Sequence, residues 1–152
     1  MKQRINYTRV APEAFKAMLQ FEEYVKTTDF DKKLIELIKI RASQINGCAY
    51  CLDMHTKDAR AIGETEQRIY CLNAWRESPF YTDAERAALE LTESVTLVSA
   101  KGVPDELYER VRRHFDEKQF VDLVMIIIAI NGWNRLSISM NNIPGHYKPN
   151  IH

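Results

Sequence analysis

The run Leu123-Val124-Met125-Ile126-Ile127-Ile128-Ala129-Ile130 leaves the chain few ways to fold. It lies inside a helical pattern from about Gln119 to Met140 and is apolar on nearly every side of that helix. Such a helix needs neighbours all round, either at the centre of its own bundle or at a subunit interface. Eight residues fall far short of the roughly 20 that a membrane-spanning helix requires. We therefore expect the run to be buried in protein, with no membrane partner.

The rest of the chain is helical in pattern, and no segment longer than a few residues alternates as a strand does. The reading is an all-α bundle of about six helices, a single domain over residues 1–152, a length at which one core suffices. Pro12 suits the opening turn of a helix striped by Ala14, Ala17, Met18, Phe21 and Val25. A second helix runs from Lys32 to about Ile45 and ends at Asn46-Gly47, a pair suited to the left-handed conformation. A third begins at Cys48 and stops before Gly63. A fourth covers roughly Glu66 to Arg76. Thr82 and Glu85 form a capping box for a helix lasting to about Ser99, and Pro104 starts another short one. Asn141-Asn142-Ile143-Pro144-Gly145 closes the last helix, and an irregular tail is expected to His152.

Lysine plus arginine (21) balance aspartate plus glutamate (21), so no charge excess would draw the protein to nucleic acid or an anionic membrane. Small molecules or other proteins are the expected partners. Met1-Lys2-Gln3-Arg4-Ile5-Asn6 has no apolar run behind its charges, so no signal peptide is expected and a cytoplasmic location is the default. Three cysteines cannot all pair within one chain, and in a reducing compartment a close pair points to redox or metal chemistry.

Cys48-Ala49-Tyr50-Cys51 is that pair, and it opens a helix. Free amides and the positive dipole end there favour a thiolate. Cysteines three apart share a face, and their Cα separation of about 5 Å is within disulfide range. His55, one turn on, can take a proton from a thiol or hold its thiolate. Cys48, Cys51, Leu52, His55, Ala59 and Ile62 line one stripe, with Asp53, Thr56, Lys57 and Arg60 away from it, so the reactive groups should face the packed side.

Glu36 is an acid among aliphatics in the preceding helix. If the two helices fold back antiparallel about Gly47, Glu36 lies about 16 Å from the turn, His55 about 12 Å and Cys51 about 6 Å. Glu36 should then meet His55 rather than the thiols, giving the order Glu36, His55, Cys51: the acid orients the imidazole and the imidazole activates sulfur. Zinc could instead use both thiolates and His55, but a structural site wants a fourth ligand that the chain lacks nearby. Cys71 reads as a buried small hydrophobe, and His114, His146 and His152 as surface residues.

A glutamate, eleven residues, Cys-x-x-Cys, three residues and a histidine, here Glu36, Cys48, Cys51 and His55, resemble the signature of the AhpD-like, carboxymuconolactone decarboxylase superfamily. The resemblance is strongest from about residue 31 to 64, and Asn131-Gly132-Trp133-Asn134-Arg135 is compatible with it. It implies an AhpD-like all-α fold assembling as homo-oligomeric trimers or hexamers. It also implies peroxide or disulfide reduction in an antioxidant role, with Cys51 attacking and Cys48 resolving, and no cofactor. The expected partners are a small-molecule peroxide and a thiol reductant, or a lipoyl or thioredoxin-like protein. Alkylhydroperoxidase members place a histidine beside the second cysteine, where this chain has Tyr50, a poor base near neutral pH. A non-catalytic zinc-binding or structural helical protein is the alternative reading.

Overall fold

A computed structural model describes residues 1–149, and His152 lies outside the described residues. Nine α-helices and one 3₁₀ turn, with no strand, make up the architecture among the described residues. The helices are α1 (Tyr7–Val10), α2 (Pro12–Lys26), α3 (Lys32–Asn46), α4 (Ala49–Ala61), α5 (Glu66–Tyr70), α6 (Asp83–Thr96), α7 (Val98–Lys101), α8 (Asp105–Arg112) and α9 (Glu117–Met140). The 3₁₀ turn, Leu72–Ala74, follows α5.

The count exceeds the seven helical segments placed on the sequence, for local reasons. Tyr7–Val10 forms a separate short helix capped by Asn6, whose side chain accepts the Arg9 amide. The continuous helix expected over 66–76 breaks at Cys71 and tightens into the 3₁₀ turn. Three residues per turn place Ile69, Leu72 and Trp75, all buried, on one side, which an α-helix would rotate apart. The helix after Thr82 carries the expected capping box but ends at Thr96, with Leu97 breaking it from α7. The last helix starts two residues earlier than expected because Asp116 and Gln119 form a second capping box.

α3 lies at the centre. Leu34 and Ile38 enter one apolar cluster with α6, α8 and α9; Leu37 and Ile40 enter a second with Leu72, Trp75 and Leu89; Ala42 enters a third with Cys48, Cys51 and Ile130. Leu37, Ile38 and Ile40 are fully buried, each worth about 1.5–3 kcal/mol of transfer free energy. That α3 turns three sides inward explains why its pattern carries so few exposed positions.

α9 packs against α2, α3, α6 and α8. As a whole it is long and apolar enough to cross a membrane, which its eight-residue run alone is not. Its buried face is nevertheless partly polar. Asp122 accepts from Tyr24 Oη at 2.7 Å and Lys118 Nζ at 2.6 Å, and Asn131 and Asn134 are also buried. Gly132 leaves room for the Met18 side chain of α2, whose Cε would lie 2.9 Å from a Cβ there. Coverage is not complete all round: Val121 and Ile128 remain exposed.

Candidate active site

α3 and α4 pack as an antiparallel hairpin around Gly47, whose φ of +67° closes α3 and turns the chain. Gly47 N–H and Cys48 N–H donate back to the last carbonyls of α3, and Cys48 becomes the N-cap of α4. Its Sγ accepts the Cys51 amide at 3.4 Å. Both thiols are buried at 1% exposure and are unpaired as cysteines.

These neighbours treat the sulfurs unequally. Donation from Cys51, by S–H and by amide, lowers the Cys48 thiol from 9.0 to about 7 despite its burial. Cys51 is pushed upward by its hydrogen bond to Cys48, by burial, and by the negative charge on that neighbour. The polar groups of Asn134 and Ser137 on α9 act to lower both thiols. The hydrogen bond between the two thiols thus favours a thiolate on Cys48 and disfavours one on Cys51.

His55 lies on the same face of α4 as Cys51. It sits one turn beyond Cys51 with 4% exposure, and its Nδ1 lies 2.8 Å from Glu36 Oε2. Nδ1 is engaged by the acid, which leaves Nε2 as the ring nitrogen turned away from it. Nε2 is buried with no hydrogen-bond partner among the described residues.

A cavity of about 380 Å³ opens onto these groups. Cys51, His55, Glu36 and Asp58 line it together with a largely aromatic wall of Tyr7, Phe15, Tyr50, Trp133 and Tyr147. Cys48 does not line it, so the N-capping thiol sits behind and the second thiol faces the opening. Trp133 is fixed by donating to Glu22 Oε1 at 2.9 Å, and Glu22 Oε2 binds Lys39 Nζ at 2.7 Å in a pair sheltered from solvent. Tyr50 stands half-buried at this wall, its phenol pushed upward by burial and so kept as a donor.

α9 braces the turn. Asn46 Nδ2 donates to Asn131 Oδ1 at 2.9 Å and Asn134 Oδ1 at 2.8 Å, while Asn134 Nδ2 reaches Ser43 Oγ at 3.0 Å. Buried polar pairing of this kind fixes the register between the thiol-bearing turn and α9.

Several positions differ from the sequence reading. Ile62 is 39% exposed and lies outside the packed stripe because α4 has already ended at Ala61. Cys71 is half-buried rather than core, since it sits at the junction where α5 gives way to the 3₁₀ turn. His114 and His146 are exposed. Among the described residues, the potential ligand atoms that gather within 4.8 Å are those of Glu36, His55 and Asp58, not the two thiols with His55. Asp58 and Tyr147 escaped the sequence reading. Asp58 is three residues past His55 and so shares its face, a detectable signal, but Tyr147 arrives from the far end of the chain with no local signature.

A model of the carboxymuconolactone decarboxylase family matches residues 12–94. The uncharacterized Bacillus subtilis (strain 168) protein YdfG is 60% identical over 142 residues, covering 93% of this chain and 97% of its own length. A crystal structure from Agrobacterium tumefaciens, of a protein of unknown function considered a candidate antioxidant-defence AhpD, superimposes with a TM-score of 0.92 at 44% identity. That match covers 96% of this chain and all of the other (100%). The debrominase Bmp8 shares the fold at a TM-score of 0.80 and 20% identity, over 89% of this chain and 73% of its own.

Proposed function

Because the chain belongs to the carboxymuconolactone decarboxylase family, in its AhpD-like branch, we propose that it is a thiol-dependent peroxidase or disulfide reductase working through Cys48 and Cys51. The observation that carries the reading is a buried imidazole held by Glu36 at Nδ1, with a free Nε2, on the same cavity wall as Cys51. That is the arrangement of an activated nucleophile with an oriented base.

In the proposed cycle His55 accepts the Cys51 proton, and the thiolate attacks one peroxide oxygen. An S–O bond forms, the O–O bond breaks, and the departing alkoxide takes up the proton from His55. Cys51 is left as a sulfenic acid and the substrate leaves as an alcohol. Cys48, whose thiol already ionises near neutrality, gives its proton to His55 and attacks the Cys51 sulfur; the S–S bond forms, the S–O bond breaks, and the leaving hydroxide takes that proton from His55 and departs as water. A small dithiol, or a lipoyl or thioredoxin-like protein, returns two electrons by thiol–disulfide exchange. The same exchange without the peroxide step makes the protein an electron shuttle. The exposed apolar residues Val121 and Ile128 of α9, with Val98 beside Ile128 at a shallow surface pocket, support a homo-oligomer as the working form.

Turnover of a panel of peroxides and low-molecular-weight disulfides with dithiol donors tests the reading. Wild type should turn over at least one acceptor, Cys51→Ser none, and Cys48→Ser should accumulate a sulfenic acid trapped at Cys51. Absence of any thiol oxidation, together with stoichiometric zinc in the purified protein, would establish the metal-binding alternative instead.

A further inference from the structure

The Glu36–His55 pair has a second carboxylate beside it that the proposed cycle does not use. Asp58, on α4 one turn beyond His55, brings its carboxylate within 4.8 Å of both the His55 ring nitrogen and the Glu36 oxygen. It is held from the opposite side by Tyr147 Oη, which donates to Asp58 Oδ1 at 2.7 Å. Tyr147 lies on the tail after α9, outside the family-matched residues 12–94. That tail is tied along α4 at two further places, Gly145 N–H to Asp53 Oδ2 at 2.9 Å and Lys57 Nζ to the Tyr147 carbonyl at 3.1 Å.

We propose, building on the relay reading above, that Asp58 and Tyr147 are positioning residues of the relay: the Asp58 carboxylate stabilises the imidazolium that forms when His55 takes the Cys51 proton, and the Tyr147 hydroxyl fixes Asp58 in that place.

The charges around His55 fit this role. From α3 come Glu36 and Lys39; from α2 come Glu22 and Lys26; from α4 itself come Cys51 and Asp58; the phenols of Tyr7, Tyr50 and Tyr147 complete the wall. Lys39 pairs with Glu22 at 2.7 Å and Lys26 with Glu23 at 2.6 Å, so Lys39 acts on Asp58 only as a charge at a distance, in the same sense as that of His55. Two carboxylates thus face one imidazole. Burial and the Glu36 charge push the Asp58 carboxyl upward, and the Tyr147 hydrogen bond opposes that push. The Tyr147 hydrogen bond is the largest of the influences that favour the charged Asp58 carboxylate, ahead of the His55 and Lys39 charges. The tail is in this way coupled to proton transfer about a turn of helix away from the thiol.

The test is the rate of Cys51 alkylation by iodoacetamide against pH, in the full-length protein with Cys48 and Cys71 changed to serine. Asp58→Asn should lose about tenfold at pH 7 and little at pH 10, where the thiol ionises unaided, because a neighbouring charge is worth about one pH unit or more. Tyr147→Phe should lose about threefold with the same pH dependence, and Asp58→Glu should restore part of the rate. Since Tyr147 acts through Asp58, the double variant should be no slower than Asp58→Asn alone. His55→Gln is the control that separates the two readings. If it reproduces the defect while Asp58→Asn and Tyr147→Phe follow the wild-type profile, the relay stands and the role of Asp58 and Tyr147 is refuted. If His55→Gln also follows the wild-type profile, the relay reading fails and this inference with it.

Discussion

Replacing Cys48 by serine in the reduced protein should remove a pH-dependent part of its stability. Serine keeps a hydroxyl that can accept the Cys51 amide, so the N-cap survives and the change isolates the ionisable sulfur. The Cys48 thiol moves from 9.0 to about 7 on folding. At about 1.36 kcal/mol per pH unit between those two values, the Cys48 charge contributes at most about 3 kcal/mol. The folded value is depressed, so between pH 7 and 9 the unfolded chain binds the proton that the folded one has released, and stability rises with pH across that window. The contribution is complete above about pH 9 and is lost as pH falls through about 7. Cys51 acts in the opposite sense: burial and its neighbour hold its proton in the folded state, so above about pH 9 its ionisation favours unfolding. Urea unfolding under a phosphine reductant at several pH values from 6 to 9 measures the difference. Wild type should gain about 2 kcal/mol over Cys48→Ser between the ends of this range, and thiolate ultraviolet absorbance should titrate near pH 7 only in the wild type. Parallel stability curves for the two proteins would refute the assignment of the first negative charge to Cys48.

Mild oxidation should remove two hydrogens from the intact mass, mapped by digestion to a Cys48–Cys51 bridge; equal involvement of Cys71 would contradict the pairing. Light scattering at micromolar concentration should give an oligomer, and Ile128→Glu, which charges an exposed apolar position on α9, should lower the mass to the monomer without altering the circular dichroism. Leu37→Ala empties a fully buried site at the centre of α3 and should cost about 2–5 kcal/mol in urea unfolding. A loss below 1 kcal/mol would mean that the second cluster collapses onto the cavity.

The all-helical class follows from the sequence because apolar spacing, caps and stops are local signals. Thr82 with Glu85, Asn46-Gly47 and the Pro12 start each rest on neighbours within one turn of helix. The spacing of Glu36, Cys48, Cys51 and His55 is local as well: once Gly47 turns the chain, the rise per residue fixes which groups of α3 and α4 lie level, and Glu36 comes to His55. Helix breaks at Cys71 and Leu97 were not legible, because they depend on which side of α3 and α6 the following residues must pack against. The centrality of α3 was equally hidden. α9 has the more continuous apolar run, yet α3 touches three clusters while α9 leaves Val121 and Ile128 to solvent. Only the tertiary structure decided that Cys51 rather than Cys48 lines the cavity, since both share a helix face and the difference lies in what α9 covers. It alone brought Tyr147 to Asp58, 89 residues apart, and Asn134 to the thiol-bearing turn. Contacts over such separations leave no periodic trace, because they are set by the docking of whole helices and not by the propensities of the residues that meet.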